Sequence, residues 1–393
     1  MRTYRELFAT PEFSPLFGIS AIQVAAQTVS GLGLGTLIYA ATGSPLLSAL
    51  AMFGPSLAQV IGAVTLLSAA DRLPPRAALG GLGLVFGLGT AAVAIPGLPL
   101  PAAFAIVLGL GLAASLDGGV RYGLLNEILA ADGYLLGRSV LNMSVGAMQV
   151  CGFAAGGVLV TVMSPRGTLI VGAALYLIAV PVARFGLSRR PPRAAGRPSI
   201  SQTWRINARL WSSPSRRLIY LASWVPNGLI VGCESLFIPY APRGAGLLFA
   251  FTALGMLAGD TLAGRFFPDR WRQRIGAALR LLLAAPYLAF ALHPALPLAA
   301  ALVTVASVGY AATLLLQQRL MALTPDELSG HALGLHSCGL LAMQGIGAVL
   351  AGTLAQRVSP GTAMTILAAA SVAITLALAP RLAAAPGWTR HAG

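Results

Sequence analysis

Residues 118 to 159 read GGVRYGLLNEILAADGYLLGRSVLNMSVGAMQVCGFAAGGVL, and residues 309 to 354 read GYAATLLLQQRLMALTPDELSGHALGLHSCGLLAMQGIGAVLAGTL. At one constant offset Gly137 aligns with Gly330, Ser144 with Ser337, Gly146 with Gly339 and Gly152 with Gly345. Each copy is an apolar run, a short polar turn and a second apolar run. The segments that follow also repeat, Ser164-Pro165-Arg166-Gly167-Thr168 against Ser359-Pro360-Gly361-Thr362. A third echo joins Asp71-Arg72-Leu73-Pro74-Pro75-Arg76 to the stretch from Gly264 to Arg270. Internal repetition of this kind predicts two homologous halves.

Working outward from the repeat, the chain holds twelve apolar stretches, at 14–40, 46–70, 77–95, 102–125, 136–163, 168–187, 216–240, 244–267, 275–293, 297–320, 331–356 and 361–383. A hydrocarbon core ~30 Å thick is crossed by ~20 helical residues. Backbone polar groups in lipid must be paired within the segment, and nothing here alternates with period two, so the spans are predicted to be helices and the fold all-α. The predicted organisation is a six-helix bundle over 1–187, a basic linker over 188–215 and a second six-helix bundle over 216–393.

Composition agrees. Of 393 residues 56% are hydrophobic and 9% charged, too little polar surface for a water-soluble protein of this size. The net charge of +15 comes in short clusters between apolar runs and forms no continuous basic face, which argues against nucleic acid as a partner. With the N-terminus in the cytoplasm, the even-numbered loops carry Arg72, Arg76, Arg138, Arg189, Arg190, Arg193, Arg197, Arg205, Arg209, Arg270, Arg272, Arg274 and Arg319. The opposite loops keep Arg166, Arg243 and Arg357. This asymmetry places both termini in the cytoplasm of a multi-pass protein of the cell membrane. The linker is read as a solvated basic segment, with a short interfacial helix from Thr203 to Trp211 as the alternative. Cys151, Cys233 and Cys338 lack metal-ligand spacing and are expected to be small core residues. No metal or cofactor is implied.

Twelve spans, a six-plus-six repeat, a central basic loop and the DR-x-x-x-R turn at Asp71, Arg72 and Arg76 together resemble the major facilitator superfamily of secondary transporters. In that family the loop after the second helix reads G-x-x-x-D-[RK]-x-G-[RK]; Asp71 and Arg72 match, while Leu67 and Pro74 replace the two glycines. The G-P-x-x-G-G element of the family's antiporters is matched by Gly152-Phe153-Ala154-Ala155-Gly156-Gly157, with Phe in place of Pro. The Arg that drug:proton antiporters place in the fourth helix falls at Ile106, a departure from their pattern. The segment from Arg121 to Glu127 resembles the macrolide-efflux-like exporters. The resemblance implies a monomer that moves a small-molecule substrate through a lipid bilayer by rocking its halves, with protons as the coupling ion. It also implies a cavity lined by the first, fourth, seventh and tenth helices.

Physically, small residues at Gly152, Gly156 and Gly157 let membrane helices approach closely. Asp71, Arg72 and Arg76, with Asp260 and Arg265 in the second half, are read as a latch that pairs in one conformation only; the alternatives are topology and solvation alone for Asp71 and Arg72, and a cavity role for Asp260. An ionisable group at the bilayer centre costs roughly 2.5–3.5 kcal/mol on the gentlest scale, so each one is a functional candidate. The first stretch offers Gln23 and Gln27, the fourth Asp117 and Arg121, the seventh Asn227 and Glu234, and the tenth Tyr310 and Gln317. Glu234 is the candidate for proton coupling, because a carboxyl held away from water suits loading and release of a proton. Its structural alternative is capping by polar groups of neighbouring helices. Asp117 and Arg121, four apart on one helix face, are expected to pair. His336 and Gln344 are read as packing or interhelical hydrogen-bonding groups.

The reading is therefore a proton-driven exporter of small hydrophobic or amphipathic molecules. Its rivals are an importer of a small organic solute and a non-transporting membrane sensor. A membrane enzyme is disfavoured, since the chain shows no nucleophile elbow and no paired metal spacing, and an ATP-driven pump is excluded because no Walker-type loop occurs.

Overall fold

The computed structural model describes residues 3–70, 72–129, 131–192, 200–265 and 269–384. Every regular element among them is helical. In chain order these are α1 (Tyr4–Ala9), α2 (Phe13–Thr42), α3 (Pro45–Ala70), α4 (Pro75–Val93), α5 (Leu100–Ile128) and α6 (Ala131–Gly186). Then come α7 (Ile200–Ser212), which lies within the predicted linker, α8 (Pro214–Ser235), α9 (Phe237–Tyr240), α10 (Ala245–Arg265) and α11 (Asp269–Ala284). A 3-10 segment (Ala285–Leu292), α12 (Leu296–Val308), α13 (Ala311–Ala322), α14 (Ser329–Ala355) and α15 (Pro360–Ala384) complete the chain.

Among the described residues eleven helices are long and apolar enough to cross a membrane. One of them, 51 residues from Leu136 to Gly186, is far longer than one crossing needs. It breaks at Ser164, whose φ of 83° and ψ of 161° lie outside the helical region. Divided there, it supplies the fifth and sixth spans, and each of the twelve predicted segments is mainly helical over its described residues. The break is the Ser-Pro element of the repeat. Ser164 Oγ accepts the Gly167 N–H at 3.3 Å, and in the second copy Ser359 Oγ accepts the Thr362 N–H at 3.2 Å. Each serine caps the helix that follows, and Pro165 and Pro360 take the first helical position, where a missing N–H costs nothing.

The helices gather into two compact units, Met1–Gly43 with Gly54–Pro198, and Ser44–Phe53 with Ser199–Gly393. In the first, α2 lies against α6 through glycine. A methyl group built on Gly152 would overlap Thr28, and one built on Gly156 would stand 3.3 Å from the Val29 Cα. In the second, α8 lies against α14 in the same manner. A methyl on Gly347 would overlap the Gly228 carbonyl, and one on Gly232 would stand 2.5 Å from the Gly347 carbonyl oxygen. Lipid supplies no hydrophobic force between helices, so backbone approach through glycine provides the dispersion contact that joins them.

Three local expectations change. Cys233 is buried and Cys338 half-buried, but Cys151 is exposed on α6. A weakly polar thiol on a helix surrounded by hydrocarbon is not driven inward as it is in water. The linker is not uniformly solvated, because 200–212 forms α7. That helix exposes Trp204, Arg205 and Arg209 and buries Leu210. Trp211 stacks on Trp224 of α8, with ring centroids 5.6 Å apart and planes 11° apart. The preceding Ser188 and Arg190 reach back to Glu12, at 2.7 and 3.0 Å. The ninth span is only partly α-helical. Pro286 cannot donate to the ladder, and the chain runs from 285 to 292 as a 3-10 helix.

Candidate functional site

In the second unit two spanning segments are interrupted, and the interruptions share one buried contact. The seventh span stops being regular at Leu236, between α8 and α9, where the Leu236 N–H turns back to the Cys233 carbonyl at 3.1 Å. The tenth span is interrupted at Gly309 and Tyr310, between α12 and α13. Gly309 is required there, since an added methyl would stand 2.5 Å from both the Leu279 carbonyl oxygen and the Leu283 nitrogen of α11. Tyr310 initiates α13 and directs its hydroxyl into the unit, donating to Glu234 Oε1 at 2.7 Å. Both residues are 7% exposed.

No basic side chain lies within salt-bridge distance of Glu234 among the described residues. The carboxyl is instead surrounded by neutral groups. Tyr287 and Cys233 are close enough to interact with it electrostatically, and both are fully buried. Two turns earlier on α8, Asn227 Oδ1 accepts from Gln344 Nε2 of α14 at 3.4 Å. Uncoupled carboxyl groups in spanning segments are rare because hydrocarbon penalises charge, and their usual company is a proton or a cationic ligand.

The first unit treats its acid differently. Arg121 pairs with Asp117 one turn before it on α5 and also donates to Ser20 Oγ at 3.1 Å and Gln23 Oε1 at 3.3 Å on α2. Both terminal nitrogens of the guanidinium are engaged by groups that compensate its charge and tie α5 to α2, while its Nε finds no hydrogen-bond partner among the described residues. Asp117 is thereby neutralised in place, which leaves Glu234 as the acid without a cationic partner among these two. Gln23 is buried at this junction, whereas Gln27, one turn on, is exposed. Gln317 is half-buried on α13, two turns past Tyr310.

No protein-family model matches the chain, and no curated protein matches it. Solved structures do. A POT family transporter crystallised with 5-aminolevulinic acid superimposes with a TM-score of 0.76 at 11% identity, covering 94% of this chain and 96% of that one. The nucleoside transporter NupG gives 0.74 at 13% identity, covering 94% and 99%. A bacterial homologue of the human lysosomal transporter Spinster, in an inward-facing conformation, gives 0.68 at 14%, covering 98% and 95%.

The fold is that of the major facilitator transporters.

Within that transporter fold, the remaining sequence candidates are dispersed. Asp71 lies outside the described residues, and so does the side chain of Arg265. Arg72 is exposed in the turn before α4, and Asp260 is exposed on α10. Arg76, half-buried in the first turn of α4, borders a separate groove in the first unit. Gly152 and Gly156 form the α2–α6 contact, and Gly157 is half-buried beside them. Gln344 makes an interhelical hydrogen bond as read, while the His336 ring is buried with no hydrogen-bond partner among the described residues. Sequence reasoning missed Ser20 and Tyr287. Nothing in a run of Ala, Ile, Ser and Gln distinguishes Ser20 from a packing residue. Tyr287 was legible only as the aromatic following Pro286.

Proposed function

We propose that this chain is a secondary active transporter that couples proton movement to the passage of small hydrophobic or amphipathic molecules, with Glu234 as the coupling group. One observation carries the reading: Glu234 sits buried in a spanning segment with a tyrosine hydroxyl, and among the described residues no cation, as its partner. In the charged form such a group is penalised by the surrounding hydrocarbon, and a proton or a cationic substrate relieves the penalty. Its place beside two interrupted helices supports the same role. Irregular backbone in the membrane occurs where it serves a binding site or pathway, and discontinuous helices are the usual carriers of substrate and ion groups in transporters. Tyr310 spans the two interruptions, so a change of protonation at Glu234 is felt by both helices at once.

Export is the preferred direction, on the glycine element from Gly152 to Gly157 and the segment around Arg121 that resembles the efflux proteins. Uptake of a small organic solute fits the likeness to peptide and nucleoside transporters as well. The arginine asymmetry supports cytoplasmic termini in a protein of the cell membrane that works as a single chain. Cells expressing the wild type and challenged with a panel of dyes and antibiotics separate the directions. Export lowers the accumulation of at least one compound, uptake raises it, and unchanged accumulation throughout contradicts the transport of amphipathic substrates.

A further inference from the structure

We propose that the first unit binds the headgroup of an anionic phospholipid in a groove between the start of α4 and the end of α6. The groove has a volume of about 480 Å³, and its polar rim consists of four arginines, Arg76, Arg184, Arg189 and Arg190. Only Arg190 has an acidic partner among the described residues. Its guanidinium is held at 3.0 Å from Glu12 and 3.7 Å from Glu127, and Glu12 is itself engaged by Ser188 at 2.7 Å. Arg190 is thus fixed in position, while the other three make no ion pair among the described residues. Guanidinium groups converging from separate segments are matched by a phosphate, which accepts paired hydrogen bonds and supplies the missing charge.

The floor of the groove identifies the ligand as lipid. It is formed by Gly80, Gly81, Leu84 and Val180. A methyl group added to Gly80 or Gly81 would meet nothing within 4 Å, so the space there is open. Beyond the glycines the α4 face continues as exposed Leu84 and, one turn on, Leu88, 44% and 61% exposed. A basic rim passing directly into an exposed apolar stripe on a spanning helix fits a phosphate headgroup with its acyl chain alongside. Juxtamembrane arginines attract anionic lipid in this way. A free anion would use the rim and leave the stripe bare.

The test uses the purified full-length protein in detergent, with native mass spectrometry to count bound lipid. The wild type is expected to retain phosphatidylglycerol and to discriminate against phosphatidylcholine. Arg184→Gln with Arg189→Gln is expected to weaken phosphatidylglycerol retention roughly twenty-five-fold, at about fivefold for each arginine. Arg243→Gln with Arg357→Gln is the charge-matched control and is expected to change nothing. Gly81→Leu fills the groove without removing charge or disturbing a neighbour, and is expected to displace the lipid while the protein stays folded. Equal retention of phosphatidylcholine, or unchanged retention in both the double arginine variant and Gly81→Leu, overturns the proposal. Displacement of bound phosphatidylglycerol by equimolar inorganic phosphate also overturns it, assigning the arginines to a free anion.

Discussion

The Tyr310 hydroxyl donates to Glu234 Oε1 at 2.7 Å across two interrupted spanning segments, and no cation shares the contact among the described residues. The hydroxyl satisfies one oxygen of the carboxyl whether or not the other carries a proton. Tyr310→Phe keeps the ring and removes the donor. It is expected to cost about 1 kcal/mol of stability or less, the value of one hydrogen bond in a membrane interior. Its larger effect is expected in the pH profile of transport, because the carboxyl loses the group that stabilises its charged form. An unaltered profile in vesicle assays across pH 5 to 8 would assign the bond to packing alone.

The Asp117–Arg121 pair predicts non-additive behaviour. Removing the acid alone, as Asp117→Ala, leaves a guanidinium in the membrane with only Ser20 and Gln23 as company, and is expected to destabilise the first unit by roughly 3–5 kcal/mol. Asp117→Asn combined with Arg121→Gln removes both charges and is expected to recover most of that loss. Thermal unfolding of the single and double variants in detergent measures the coupling. Additive losses would mean that the two charges do not depend on each other.

Glycines divide into those that carry helix contacts and those that do not. Gly347→Ala places a methyl on the Gly228 carbonyl, a backbone atom that cannot rotate aside, and is expected to abolish a monodisperse peak in size-exclusion chromatography. Gly109→Ala, with nothing within 4 Å, is expected to be neutral or to stabilise α5 by up to about 1 kcal/mol through helix propensity alone. Equal behaviour of the two variants would contradict the packing described for α8 and α14.

Most of the architecture was legible in the sequence because the bilayer imposes a length on every span. The twelve apolar stretches follow from that constraint, whereas the repeated Ser-Pro elements at 164 and 359, visible only as an echo between the halves, prove to cap the helices that follow them. Hydropathy could not show that the fifth and sixth spans are separated by a single non-helical residue, since Ser164 alone turns the chain. Nor could it show that α11 already runs through the polar residues from Asp269, ahead of the apolar window that opens at 275. The site was legible residue by residue but not as a set of contacts. Glu234, Asn227 and Tyr310 were visible as polar groups in greasy helices, and the Asp117–Arg121 pair followed from its spacing. That Tyr310 meets Glu234 depends on breaks at Leu236 and Gly309, and the second is dictated by the close approach of α11, a tertiary fact.

The aromatic clamp on α7 yields a prediction outside the site. Trp211 stacks on Trp224, and Tyr220 stacks on Trp224 at 4.9 Å. Trp211→Ala removes the outer ring of this ladder, worth about 0.5–1.5 kcal/mol beyond its buried area. Hydrogen exchange over 200–212 is expected to accelerate while exchange over 214–235 holds. Unchanged exchange in α7 would show that Leu210, not the ring, anchors the helix.

The role of Glu234 is tested most directly in proteoliposomes under an imposed pH gradient, comparing the wild type with Glu234→Gln across the compound panel. The account predicts that the gradient drives accumulation of at least one compound by the wild type and not by the variant, while gradient-independent exchange of that compound survives. Equal gradient-driven accumulation by both proteins contradicts it.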